Sequence, residues 1–273
     1  MSYSEAFRTV PQFFFKRGTE YDHLYHNHQS CILYKSLDQT KLQGEYYISS
    51  HVLTLVVKGK KVIRTSADQK IVVNAGEMVF IPKDLYLIQD FIQLDAAFES
   101  WLFFFSDALI NDFINSWQKN KINGFHIDKE SGFKLPVYSL EDRQSYFMEG
   151  LIPLFSSLGE KGRAMVDVKL TELLHLMALG NSGADFIKQL HTLRRSKRNI
   201  KAFMEAHFDK PLKVEDYAYL TGRSLTTFVR DFKKYFKTTP KQWLMQKRMD
   251  LAKEKLQGPR ATITQVAPSL IHI

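Results

Sequence analysis

The chain has a single cysteine, Cys31, in 273 residues. No disulfide can close within it and no cysteine-based zinc site can be built, which fits a reducing compartment. Long apolar runs are also missing. The densest, Trp101 to Phe105, is far short of the roughly 20 residues that span a bilayer. The first residues, Met1-Ser2-Tyr3-Ser4-Glu5, carry an acid and no apolar core, unlike a secretory signal. These absences lead to the expectation of a soluble, cytoplasmic protein without a membrane partner. Catalytic signatures are lacking too. There is no Gly-x-Ser-x-Gly elbow, no phosphate-binding glycine loop and no His-Glu-x-x-His helix. No catalytic residue is assigned, no cofactor is expected, and the chain is read as a non-enzyme.

What is present is ordinary globular composition, 44 % hydrophobic and 25 % charged, with enough length for two domains. The formal charge is +9, but it is unevenly distributed. Residues 1–190 hold 20 Lys/Arg against 22 Asp/Glu, a net of −2; residues 191–273 hold 18 against 7, a net of +11. The whole surplus lies in the last third, which suggests either a near-neutral domain followed by one that meets a polyanion or a solvated basic helical surface. Asn181-Ser182-Gly183 breaks a helical pattern, and His191 to Arg198 is a basic approach to the second region. The expected division is a first domain over 1–185, a basic linker over 186–198 and a second domain over 199–273.

In the first region, residues 45–92 read as strands. Tyr46-Tyr47-Ile48 and His51 to Val57 are β-branched or aromatic. Lys58-Gly59-Lys60 is a turn signal, with Val62 to Thr65 expected to return as its hairpin partner. Lys70 to Val73, a turn at Asn74 to Glu77, and Met78 to Ile81 follow, ending at Pro82. Short strands with regular turns imply an antiparallel barrel or sandwich. The run Ala75-Gly76-Glu77-Met78-Val79-Phe80-Ile81-Pro82 resembles a cupin-type barrel. Where that resemblance places a metal-ligating histidine, about five residues after Pro82, the chain has Leu87, so a barrel without the usual metal is implied.

His23, His26 and His28 form the densest histidine cluster. His26 and His28 would share one face of a strand and, with Asp22, could hold Zn²⁺. The competing reading is a polar surface segment beside Tyr21, Tyr25 and Asn27. No second cluster supplies further ligands, so no metal is assigned. Residues 107–119 and 140–180 switch to helical period: Phe147, Leu151, Leu154, Phe155 and Leu158, then Val166, Leu170, Leu173, Leu174 and Met177. These helices either cover the barrel or pair with a second copy, and both uses are compatible.

Four helices are read in the basic third. Ser196 is expected to cap the first, with Ile200, Phe203, Met204 and Phe208 buried. The second spans about Val214 to Thr221. Gly222 stands where a tight interhelical turn needs left-handed backbone. Ser224 caps the third, Leu225 to Phe236, whose apolar stripe is Leu225, Phe228, Phe232 and Phe236. Pro240 opens the fourth, with Trp243, Leu244, Met249, Ala252 and Leu256 expected to be buried. Helix, glycine turn, helix is the helix-turn-helix arrangement, and the third helix offers Thr226, Thr227, Arg230, Lys233 and Lys234 opposite its apolar stripe.

The stretch from Ala218 to Phe236 closely resembles the first helix-turn-helix of AraC/XylS-type transcription regulators. Thr238-Thr239-Pro240-x-x-Trp243 and Arg248-Met249-x-x-Ala252 are similar to the linker helix that follows it in that family. The resemblance implies an α+β chain: an N-terminal cupin-like antiparallel β-barrel with flanking helices for sensing and dimerisation, then an all-α helix-turn-helix domain. It implies double-stranded DNA as partner, a homodimer through helices 140–180, and a small-molecule or protein effector at the barrel. By position, base reading falls on Thr226, Val229 and Arg230, with Thr227 adjacent. Ser224, Lys233 and Lys234 fall on phosphate contacts, and Arg248, in the linker helix, is placed among the DNA-binding residues as a bridge between structure and backbone. A second such unit begins at about Ala261, but Pro268 to Ile273 does not continue its pattern. An incomplete second unit is therefore expected, with weak DNA binding unless the chain dimerises. The competing expectation is a ligand- or protein-binding dimerisation module whose DNA binding is impaired.

Overall fold

The structure is a computed structural model, and the residues it describes are 7–15, 23–27, 30–37, 41–65, 69–91, 97–119, 135–193 and 197–256. They fall in two compact units, Met1–Leu193 and Arg194–Ile273. The first contains β1 (Arg8–Val10), β2 (His23–His26), β3 (Cys31–Leu37), β4 (Lys41–Ile48), β5 (His51–Lys58), β6 (Lys60–Thr65), β7 (Lys70–Asn74), β8 (Glu77–Ile81), β9 (Asp84–Phe91) and β10 (Phe98–Phe105). Then come α1 (Asp107–Lys119), β11 (Val137–Ser139), α2 (Asp142–Leu158), α3 (Val166–Ala178) and α4 (Gly183–His191).

The strands form an open, cupin-like barrel of two sheets. One sheet runs β1-β4-β9-β6-β7 and the other β11-β8-β5-β10-β3-β2. Neighbours pair antiparallel, except that β1 lies parallel to β4, with Arg8 beside Tyr46 and Val10 beside Ile48. The second sheet is covered on both faces. Val52, Val56, Val79, Ile81, Phe98, Leu102 and Phe104 point between the sheets, toward Ile63, Ile71 and Val73. Leu53, Leu55, Met78, Phe80, Trp101, Phe103 and Phe105 point the other way, toward Phe113, Phe147, Leu151, Leu170, Leu173 and Phe186 of the helices. Both phases of the two-residue strand repeat are thus buried, and this is why β5 and β10 read as unbroken apolar runs rather than as alternation.

Two expectations are corrected. Lys58-Gly59-Lys60 does not close a hairpin: β5 belongs to the second sheet, while β6 pairs with β7 and β9 of the first. Gly59, at φ +79°, turns the chain from one sheet to the other, in a left-handed conformation open to glycine at no steric cost. Nor is 186–198 a linker throughout. Phe186, Ile187 and Leu190 of α4 are buried in the core against the helix-covered face, so the first unit runs on to Leu193.

Leu87 lies in β9, beside Glu45 of β4 and Arg64 of β6. His26 stacks on Phe15 at 4.6 Å, and its Nδ1 is 3.4 Å from the Asn27 carbonyl. Asp22 and His28 lie outside the described residues. Among the described residues, no three His, Cys, Asp or Glu side chains cluster so as to hold a metal ion. Among them too, no helix is long and apolar enough to cross a membrane.

Candidate nucleic-acid interface

The second unit is built from α5 (Ile200–His207), α6 (Val214–Leu220), α7 (Leu225–Phe236) and α8 (Pro240–Leu256). Asn199, not Ser196, caps α5: its side-chain oxygen accepts the Ala202 N–H at 3.1 Å. Ser196 lies outside the described residues. The α6–α7 turn has the expected form. Gly222 sits at φ +70°, and Ser224 Oγ accepts the Thr227 N–H at 3.3 Å while donating to Thr227 Oγ1 at 2.9 Å. The Ser224 hydroxyl therefore satisfies a first-turn donor of α7 that would otherwise be orphaned.

Phe228 and Phe232 of α7 are fully buried, and Phe232, Phe236 and Trp243 form a ring cluster with centroids 4.4 to 5.8 Å apart. Leu244 and Ala252 of α8 are buried. The apolar stripe is narrower than expected. Leu225, Met249 and Leu256 are each about 40 % exposed, because no element among the described residues covers them. With one side of α7 fixed by aromatic packing, the opposite side is presented to solvent. Thr226, Arg230, Lys233 and Lys234 are exposed there, whereas Thr227 and Val229 at its margins are half-buried. The Arg230 side chain is 77 % exposed and pairs with Asp231 at 3.4 Å.

Arg248 is not part of this face. It is 7 % exposed, and its guanidinium donates from Nε to the Phe208 carbonyl at 2.9 Å and from Nη2 to the Lys210 carbonyl at 2.7 Å. It clamps α8 to the loop after α5, so its assignment as a DNA contact gives way to a structural one. Sequence reasoning missed a second clamp. Arg223, beside the turn glycine, donates to Asp231 Oδ2 at 3.2 Å and to the carbonyls of Arg198 and Thr221 at 2.9 and 2.6 Å. Hydrogen bonding from Arg223, with Arg230 close by, holds the Asp231 carboxyl below the usual carboxylate range. A basic residue directly after the turn, with an acid two turns into the next helix, was the available signal.

The family comparisons accord with this geometry. Residues 51–189 match the profile described as the ExsA N-terminal regulatory domain. Residues 204–245, which contain the α6–α7 turn and all of α7, match bacterial regulatory helix-turn-helix proteins of the AraC family. This chain belongs to the AraC family. Among its relatives, the virulence regulon transcriptional activator VirF of Yersinia enterocolitica is 28 % identical over 104 residues, 38 % of each chain. The HTH-type transcriptional regulator ExsA of Pseudomonas aeruginosa is 29 % identical over 101 residues, 37 % of this chain and 36 % of that protein. The match thus spans little more than a third of these relatives' length. Of solved structures, the AraC-like transcriptional activator CuxR aligns with a TM-score of 0.41 and 11 % identity, covering 84 % of this AraC-family chain and 79 % of its own. ToxT from Vibrio cholerae strain SCE256 aligns with a TM-score of 0.39 and 10 % identity, covering 81 % of this chain and 96 % of its own.

Proposed function

We propose that this AraC-family chain is a cytoplasmic transcription regulator that reads double-stranded DNA with α7 in the major groove, under the control of an effector at the N-terminal barrel. The single observation supporting it is the exposed polar face of α7, where Thr226, Arg230, Lys233 and Lys234 stand opposite the buried Phe228 and Phe232. Arg230 is the base reader, since its planar fork matches the O6/N7 edge of guanine. Thr226 and Val229 lie along the same groove, Thr227 sits beside them, and Lys233, Lys234 and the capping Ser224 meet phosphates. Lys234→Ala is expected to weaken all duplexes alike and lower the salt slope of binding by about 1. The measurement is affinity for matched and mismatched duplexes across a salt series. Absence of salt-dependent binding at low salt would overturn the reading and leave a dimerisation module without DNA work.

A homodimer through α2 and α3 belongs to the same proposal. Tyr146 of α2 and Val168 of α3 are 71 % and 55 % exposed, an apolar presence that a second copy would cover. Sedimentation of the whole chain should give a dimer that Val168→Glu dissociates; a wild-type monomer at micromolar concentration would exclude it.

A further inference from the structure

We infer that Asp231 is a positioning residue for base reading: held by Arg223 on one carboxylate oxygen, it aims the guanidinium of Arg230 with the other. The inference deepens the reading of α7 as the DNA-reading helix and rests on Arg230 as its base contact. Asp231 is the one acid in the sequence of α7, within a region of net charge +11 over residues 191–273. An acid there repels the phosphates that Lys233 and Lys234 meet. Its two oxygens go to two different arginines. Oδ2 accepts from Arg223 Nε at 3.2 Å, and Oδ1 accepts from Arg230 Nε and Nη2, both at 3.4 Å. The carboxyl, held below the usual range, is ionised at neutral pH and accepts on both sides.

The Arg223 side chain is 9 % exposed. Its guanidinium also donates to the Arg198 carbonyl before α5 and to the Thr221 carbonyl after α6. Tied to three separate pieces of chain, it is a fixed anchor, and it fixes Asp231 in turn. A guanidinium has two edges that each offer a pair of N–H groups, Nε with Nη2 and Nη1 with Nη2. Asp231 takes the first edge of Arg230. The second has the spacing that the O6 and N7 atoms of guanine need. With its edges so divided, Arg230 enters the groove already oriented; without Asp231 its torsions are ordered only on binding. That ordering cost falls on the matched duplex, where the fork engages a base, and not on duplexes held by phosphates alone. Being exposed, the Asp231–Arg230 pair contributes little to stability. What it changes is where the fork points.

The test uses the whole chain, a duplex that the wild type enriches from a randomised pool, and the same duplex with one G·C pair changed to A·T. Discrimination is the ratio of the two affinities, taken at the G·C pair where Arg230→Ala loses most. Asp231→Asn should lower discrimination about three- to tenfold, the cost of ordering one long side chain. Its affinity for the changed duplex should not fall, since an acid facing phosphates is gone. In an Arg230→Ala background the same substitution should change discrimination by less than about twofold. A displaced α7 would instead weaken both duplexes in parallel, in either background. That result, or undiminished discrimination in Asp231→Asn, overturns the inference. If Asp231→Asn fails to fold, nitrogen relaxation of the Arg230 Nε–H in the DNA-free wild type decides. An order parameter above about 0.6 is expected, and one in the flexible range below it overturns the inference. Undiminished discrimination at every pair in Arg230→Ala sinks the base-contact reading and the inference with it. Loss in Arg230→Ala without loss in Asp231→Asn sinks the inference alone.

Discussion

The two units place their charges in opposite ways. The C-terminal third, net +11 over residues 191–273, turns cations outward from a small aromatic core, and Arg230 is 77 % exposed. The N-terminal region, net −2 over residues 1–190, carries two lysines inward, each under 5 % exposed. An outward field acts at a distance and suits a long polyanion, whose affinity falls steeply with salt. An inward charge, as on Lys35 and Lys61, is shielded from salt and is answered by partners within the protein. Net charge therefore reports the outward cations and hides the inward ones.

The largest test of this contrast removes the platform that points the cations outward. Phe232→Ala should destabilise the C-terminal unit by about 3–5 kcal/mol, as loss of a fully buried aromatic does. Urea titration of the whole chain, followed by hydrogen exchange of the α7 amides, measures this. Val72→Thr, at an exposed β7 site of the first unit, should stay within about 0.5 kcal/mol. A similar loss from both would mean that the ring cluster is not what holds α7.

Next in size is a comparison of two arginines of the same unit. Arg248→Met should cost about 2–3 kcal/mol of stability, because the carbonyls of Phe208 and Lys210 lose their charged donor. The base preference of the molecules that remain folded should not change. Arg230→Ala should do the reverse: stability within about 0.5 kcal/mol of wild type and a loss of about 1–3 kcal/mol of discrimination between matched and mismatched duplexes. Paired denaturation curves and duplex titrations measure both. A loss of discrimination in folded Arg248→Met would return that residue to the DNA face.

These two arginines also mark how far the sequence could be read. The turn and α7 were legible because their signals are local: Ser224 as cap, Gly222 in a left-handed position, Phe228 and Phe232 four apart. The exposure of Leu225, Met249 and Leu256 was not, since periodicity identifies an apolar face but not whether anything covers it. Arg248 in a basic helix looks like any solvated cation; only the carbonyls of a distant loop make it structural. In the first unit, a Gly-Lys turn between two apolar runs suggested a hairpin, because a turn signal does not say which sheet the next strand joins. Lys35 and Lys61 gave no sign of burial, as each is followed or preceded by polar neighbours and their shared position arises only when two sheets face each other. β3 and α4 went unread for a related reason: both are short and depend on long-range packing, β3 against β10 and α4 against Phe80 and Tyr138.

The smallest effect concerns Asp231, the point where the structural clamp meets the reading face. Its carboxyl is held below the usual range, first by hydrogen bonding from Arg223 and then by Arg230. In the unfolded chain an aspartate titrates near ~3.9. A depressed folded-state pKa means that the stabilisation is fully present above that value and is lost as pH falls through the folded-state value. Asp231→Asn should therefore be less stable than wild type at pH 6, and the gap should narrow below about pH 4. Arg223→Met should show the same narrowing, because Arg223 is the principal partner. Arg230→Ala should leave the pH dependence close to wild type, since its side chain is mostly in water and surface pairs contribute little. Urea midpoints stepped from pH 6 to pH 3 distinguish these cases. A gap that stays constant with pH in Asp231→Asn would show that the aspartate acts by shape rather than by charge, and a strong pH effect in Arg230→Ala would tie the reading arginine to the clamp that supports it.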